Sequence, residues 1–293
     1  MAEFPKRVFF QPGFMPEIQA ELTSRGVAVQ ELKTQPILGR GPAQKELESL
    51  GLSENDMVMG IPWFVDTALR VMGIPVPSPP DYPECLTHLL HRKIWDSTLG
   101  QVEADLAAGK HKNIFIKPAE GAKGFSGLCV KGPVDDQLSG EWGLLNPEIY
   151  SLVAENGGRK MPVHCSEVLD MNSEYAVYVV DGVIRKICHY MCKKSSCRCK
   201  DGEPAARGEP VLSLDMAVVE DAVRLLTKSK ETEKLTGYRV DFVLSRKPGE
   251  EDYQTTLCEV NDGYVSGRYD DFPPKDFTDM SISRFASLQS TRK

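Results

Sequence analysis

Two stretches of this 293-residue chain carry chemically useful residue types at a readable spacing. In YRVDFVLSRKPGEEDYQTTLCEVND (238–262), two apolar runs, 238–246 and 253–261, flank a polar loop containing Pro248-Gly249. Arg239 and Asp241 are two residues apart and share one face of the first strand, as Glu259 and Asn261 do on the second. If the strands pair antiparallel, three oxygen-bearing side chains converge beside one arginine. Such a set suits Mg²⁺ (or Mn²⁺), a hard cation that shares its shell with water and phosphate. A surface hairpin of solvated charges is the competing reading, but it leaves unexplained why Glu259 and Asn261 end an apolar run that turns at Asp262-Gly263.

The second stretch is IFIKPAEGAKGFSG (114–127), a short apolar run followed by three glycines and two lysines. It is neither G-x-x-x-x-G-K-[ST] nor a G-x-G-x-x-G that opens a helix. A strand ending at Lys117, a glycine loop and a second strand make a lid whose backbone N–H groups can close over phosphates. Gly121, Lys123, Gly124, Ser126 and Gly127 are its candidate contacts, with Lys117 meeting an anion from the strand and Lys93 another from its helix. A simple glycine-rich turn is the alternative. A third stretch, SEVLDMNSEY (166–175), supplies backbone polar groups for a base edge. It also supplies Glu174, which could accept hydrogen bonds from two ribose hydroxyls or be an ordinary exposed strand carboxylate.

Composition limits the function classes. Hydrophobic residues are 41% and charged ones 26%, an ordinary globular mixture. The net charge of −7 argues against a general nucleic-acid binder. No apolar run approaches the ~20 residues of a membrane span. The opening MAEFPKRVFFQPGF lacks a signal-peptide core, and eight cysteines without an export signal suggest a reducing, cytoplasmic setting.

The elements that must position these groups follow from periodicity. Strands at 7–11, 27–32 and 56–61 alternate with helices at 16–25, 43–50 and 62–72, which argues for a parallel, doubly wound α/β layer. GIPVPSPPDYPE (73–84), with five prolines in twelve residues, breaks helix and strand alike and marks a boundary. The expected domains are therefore 1–80 and 81–293. Beyond the break we expect a helix over 84–108 carrying Arg92-Lys93, strands at 113–118 and 126–130, and a helix at 146–156. A strand at 162–169 precedes a hairpin turning at Asp181-Gly182, the strongest short hairpin signal. A helix at 214–235, the strand pair 238–246 and 253–261, and a tail helix at 276–289 complete the chain.

In this order Lys93, IFIKPAEGAKGFSG, SEVLDMNSEY, YRVDF and CEVND resemble the ATP-grasp superfamily, typified by D-alanine–D-alanine ligase and carboxylate–amine ligases. They cover residues 93 to 262, and the α/β region before them resembles the family's preceding domain. The resemblance implies an ATP-grasp fold, two α+β subdomains gripping ATP, behind an N-terminal doubly wound α/β domain. It implies that Lys93 and Lys117 contact ATP phosphates, that 121–127 is the loop over the β- and γ-phosphates, and that Glu167, Val168, Leu169 and Asp170 form the adenine hinge. Glu174 would hold the ribose; Asp241, Glu259 and Asn261 would bind Mg²⁺; Arg239 would stabilise an acyl phosphate or tetrahedral intermediate. The implied activity is an ATP- and Mg²⁺-dependent ligase that joins a small-molecule or peptide carboxylate to an amine acceptor. A small-molecule kinase on the same fold, or a nucleotide-binding regulatory or protein-modifying module, is the alternative. Many such ligases are homodimers.

The family often adds a cation facing the γ-phosphate from the second strand of the hairpin. If Val180 pairs with Val183, then Glu174, Tyr178, Arg185 and His189 share one face while Lys186 and Tyr190 point the other way. Arg185 is therefore the expected cation, and a one-residue slip would reverse the choice. CHYMCKKSSCRCK (188–200) holds Cys188, Cys192, Cys197 and Cys199, but its C-x3-C-x4-C-x-C spacing is not that of zinc knuckles. We expect reduced thiols in a basic loop. In NDGYVSGRYDD (261–271), Ser266, Arg268 and Tyr269 are candidate substrate contacts, against the alternative of a plain surface loop.

Overall fold

RVFF forms β1 (Arg7–Phe10), buried on both faces from Val8 onward, as a strand covered by helices on either side must be. It lies between β2 (Ala28–Glu31) and β3 (Asp56–Met59) and pairs with both in parallel. Parallel neighbours need crossovers. These are α1 (Pro16–Ser24) and α2 (Arg40–Ser49), and α3 (Pro62–Val71) follows β3. Proline stands at the start of α1 and α3, where its missing N–H costs nothing. The computed structural model describes residues 5–33, 40–78, 80–119, 125, 127–131, 158–192, 213–247, 249–264, 266–269 and 271–291.

The helix expected over 84–108 is instead three elements. Glu84–Leu89 is a 3-10 turn, Ile94–Thr98 is β4, and Leu99–Ala107 is α4. His91 has a φ of 48°, off the helical path. The Thr98 hydroxyl accepts from the Gln101 N–H at 3.3 Å, so α4 begins at Leu99. Helix propensity is a weak preference, and pairing of Ile94–Thr98 with β7 (Pro162–Ser166) overrides it. Lys93 thus precedes a strand and is not carried on a helix.

Residues 90–170 form one compact unit, and residues 1–89 with 171–293 form the other. In the first, β5 (Asn113–Pro118) and β6 (Leu128–Lys131) join β4 and β7 in a four-stranded sheet of order β4-β7-β5-β6. α4 packs Leu99, Val102 and Leu106 against Ile114, Ile116 and Val163. The helix expected at 146–156 lies outside the described residues.

In the second unit the hairpin turns at Asp181 (φ 50°) and Gly182 (φ 75°), joining β8 (Asp170–Val180) to β9 (Val183–Cys192). Positive φ at both central residues matches the right-handed twist of the strands. Helix α5 (Met216–Lys228) precedes β10 (Gly237–Arg246) and β11 (Gln254–Asp262), and the sheet runs β11-β10-β8-β9. The tail helix α6 (Pro274–Gln289) packs against α1 and β10.

Two contacts tie this unit together. Gly263 N–H donates to Gly237 O at 3.0 Å, and a Cβ on Gly263 would stand 2.5 Å from the Gly237 carbonyl atoms. The Tyr264 hydroxyl donates to Val58 O at 2.5 Å and accepts from Val58 N at 3.3 Å, so it occupies the outer edge of β3.

Candidate active site

The acidic ribbon owes its chemistry to one extra residue. From Ser245↔Gln254 to Phe242↔Leu257 the pairing of β10 with β11 is regular; then Cys258 is left without an opposite, and Asp241 faces Glu259. Continued without that bulge, the ladder would put Cys258 opposite Asp241 and turn Glu259 and Asn261 to the other face. With it, Arg239 faces Asn261 and Asp241 faces Glu259. The antiparallel convergence expected from the spacing is present.

Asp241 is 2% exposed. Its Oδ2 accepts from Arg239 at 2.7 and 3.2 Å and from Asn261 Nδ2 at 2.9 Å, while the same amide donates to Glu259 Oε1 at 2.9 Å. Asp241 Oδ1 is buried and has no hydrogen-bond partner among the described residues. Burial, with Glu259 and Glu174 nearby, raises the Asp241 carboxyl to about 6 against the opposing pull of Arg239. Burial would lower Arg239, but the charge and hydrogen bonds of Asp241 outweigh it and hold the guanidinium above its usual range. A buried, unpaired carboxylate oxygen costs about 1–3 kcal/mol or more. A divalent cation held by Asp241, Glu259 and Asn261 would remove that cost, so these residues fit Mg²⁺ by an observation independent of their spacing.

The hairpin beside this ribbon corrects one expectation. Val180 does pair with Val183, but Arg185 is bulged and Tyr178 pairs with Lys186; Tyr190 is bulged in turn and Glu174 pairs with Met191. Each bulge shifts the register by one. Lys186, half-buried, therefore takes the Tyr178 face, while Arg185 is exposed at the bulge. His189 leaves the Glu174 face and stacks on Tyr175 at 4.6 Å. Tyr190 joins Glu174 instead, its hydroxyl donating to Glu174 Oε2 at 2.7 Å. Burial first, then Asp241 and Glu174, push the Tyr190 phenol far above its ordinary range, so it stays a donor.

The segment after β11 packs on the same face. Tyr178 OH donates to Gly267 O at 3.0 Å and accepts from the Tyr269 N–H at 3.2 Å. Tyr269 stacks on Tyr190 at 4.3 Å with rings 9° from parallel, and the Arg239 guanidinium carbon lies 5.6 Å from its centroid. Of the three candidate substrate contacts, Tyr269 thus borders the arginine. Ser266 is buried, and Arg268 is engaged by Glu17 Oε1 at 2.7 Å and Phe272 O at 2.6 Å. Tyr178 and Tyr190 are site residues that sequence spacing missed; the bulges that place Tyr190 leave no local signature.

In the smaller unit, Lys117, His164 and Asp96 lie side by side across β5, β7 and β4, on the face opposite Ile114 and Ile116. His164 Nδ1 is 2.6 Å from Asp96 Oδ1. Lys93 N–H donates to Glu167 Oε2 at 2.9 Å, and its ammonium sits 5.8 Å from the centre of the Trp95 ring. Val168 and Leu169 continue from Glu167 toward β8, both half-buried. A Cβ on Gly127 would strike the Phe115 ring at 2.5 Å, so this glycine is needed for packing. Gly121, Lys123, Gly124 and Ser126 lie outside the described residues, as do Cys197 and Cys199. Cys188 is fully buried and Cys192 half-buried. Among the described residues no helix is long and apolar enough to cross a membrane.

Among solved structures the chain has the following similarities. N5-carboxyaminoimidazole synthetase from Staphylococcus aureus is similar with a TM-score of 0.50 at 12% identity, over 96% of this chain and 78% of that one. L-amino acid ligase from Bacillus licheniformis gives 0.49 at 11%, over 89% of this chain and 67% of that one. D-alanyl-alanine synthetase A from Vibrio cholerae O1 biovar eltor gives 0.46 at 12%, over 96% of this chain and all of that one (100%). At such identities the likeness is one of fold, and the first of the three carries it. No curated protein sequence matches the chain. A family model described as an ATP-grasp domain, family 2 of its clade, matches residues 89–280, well over half of the chain, which therefore belongs to the ATP-grasp superfamily.

Proposed function

We propose that the protein is an ATP- and Mg²⁺-dependent ligase that joins a carboxylate to an amine in an amide or peptide-like bond. The observation that carries this reading is the buried Arg239–Asp241–Asn261–Glu259 cluster with one carboxylate oxygen left unpaired. Asp241, Glu259 and Asn261 hold the metal, which when bound neutralises charge on phosphate oxygens. Lys93, Lys117 and the 121–127 loop bind the phosphates; Glu167 to Asp170 take the base and Glu174 the ribose.

A carboxylate is a poor electrophile. Transfer of the γ-phosphoryl group to its oxygen, with ADP departing, gives it a leaving group. The amine then attacks the acyl carbon, phosphate leaves with the C–O electron pair, and the amine loses a proton. Arg239, held rigid by Asp241, faces the charge that develops on the acyl oxygens. Lys186, in place of Arg185, is the hairpin cation toward the transferred group. Ser266, Arg268 and Tyr269 belong to the acceptor side, Arg268 by bracing the segment through Glu17. In this reading 1–80 is the preceding domain and 81–293 the ATP-grasp domain.

Thermal stability with ATP tests the proposal. At about a hundred times Kd, the wild type should gain roughly 2.7 kcal/mol, only with Mg²⁺, and Glu259→Gln should lose most of that gain. A wild type indifferent to Mg²⁺ and ATP overturns the reading; a positive result justifies screening acids with amines for ADP release.

A further inference from the structure

Tyr190 has no part in that chemistry, yet with Tyr269 stacked on its ring it is built around Glu174. Tyr190 donates to Glu174 Oε2 at 2.7 Å, and the ring behind that hydroxyl lies 4.3 Å from Tyr269, nearly parallel to it. Tyr269 is itself fixed, its N–H donating to Tyr178 OH and its ring lying beneath Arg239. Glu174 Oε1 has no donor among the described residues. A strand glutamate left alone samples several rotamers, and a ligand that binds one of them must first freeze it.

We propose that Tyr190 is a positioning residue. Its hydroxyl holds Glu174 in one rotamer with Oε1 left to accept from a ribose hydroxyl, and Tyr269 braces Tyr190 through the stack. This rests on the reading of Glu174 as the ribose carboxylate. The bulge at Arg185 is what makes the device possible, because without it His189 would face Glu174 and the phenol would point to the other side.

Titration calorimetry of the full chain with Mg·ATP and with Mg·2′,3′-dideoxy-ATP tests it. Freeing one rotamer-rich side chain should weaken Mg·ATP binding by Tyr190→Phe about fivefold. The dideoxy nucleotide should bind the wild type and Tyr190→Phe alike. Tyr269→Leu, which removes the brace, should reproduce the ribose-dependent loss in part. Glu174→Gln with Tyr190→Phe should bind no worse than Glu174→Gln alone, because Tyr190 acts through Glu174.

An equal loss for both nucleotides, additivity with Glu174→Gln, or wild-type binding by Tyr190→Phe overturns the proposal. Should Tyr190→Phe fail to fold, the wild type alone decides: no preference for ATP over the dideoxy nucleotide overturns it. A wild type that binds neither nucleotide removes the proposed function as well, whereas one that binds both equally removes this inference and the ribose role of Glu174 but leaves the ligase reading and its metal–phosphate site standing.

Discussion

The ribbons β8–β9 and β10–β11 lie in one sheet and obey the same alternation rule, yet the rule gives a correct face in one and a wrong face in the other. In both, the pairing starts regularly at the loop and is then interrupted by residues that have no opposite. At Cys258 the interruption comes before Glu259 and Asn261, and it turns them toward Asp241. At Arg185 it comes before Lys186 and exchanges a lysine for the arginine that simple counting would favour. A bulge moves every side chain beyond it to the other face, so a face can be read from spacing only as far as the nearest bulge. Both bulges sit beside proposed phosphate- and metal-facing groups, where re-aiming a side chain matters most.

The comparison can be broken at three levels. The largest effect is expected at Gly263, which closes β10–β11 against Gly237. A methyl there meets main-chain atoms at 2.5 Å that have no rotamer to change. Gly263→Ala should cost about 3 kcal/mol or more, seen as a fall in the urea midpoint with unchanged slope. A variant with the wild-type midpoint would mean that this ribbon can slide, and its register would explain nothing.

Next comes the exchanged pair in β9. Lys186→Ala should weaken Mg·ATP binding or turnover by roughly 10- to 100-fold, the scale of one charge-assisted contact, and Arg185→Ala by less than about twofold. The reverse ranking would restore the unbulged register. The smallest effect is expected at an ion pair outside both ribbons. Burial opposes ionisation of Asp56, but hydrogen bonds from Arg7 and Ser53 outweigh it and hold the carboxyl below its usual range. A depressed folded value gives stability that is present above the unfolded value, near 3.8, and is lost as the pH falls through the folded one. Acid unfolding of the wild type should steepen below that point, and Asp56→Asn should flatten it; identical acid limbs would show that the pair contributes nothing.

Much of the fold was legible because it rests on local patterns. The parallel layer follows from apolar strands alternating with proline-started helices, and the hairpin from Asp181-Gly182. The pair Arg239/Asp241 and the pair Glu259/Asn261 were each readable as two apart on a strand. That they face one another was readable only as a condition on antiparallel pairing, and the register that meets the condition depends on the bulge at Cys258. Lys93 was misplaced because Ile94–Thr98 becomes a strand only through pairing with a segment some seventy residues later. Arg268 reads as a surface cation until Glu17, 251 residues away in sequence, is found against it. Tyr190 was assigned to the wrong side by the same counting that favoured Arg185. Each miss comes from a contact between distant segments or from a bulge, and neither leaves a periodic trace.

The Tyr264 hydroxyl on the outer edge of β3 has a consequence for how the chain emerges from a ribosome. Residues 5–78 can assemble the three-stranded layer early, but the groups at Val58 that Tyr264 engages wait for a residue made about two hundred positions later. During that interval β3 presents an open edge, which is a template for pairing with another nascent copy. A fragment ending near residue 80 should therefore associate through β3, and supplying a segment that contains Tyr264 should suppress that association.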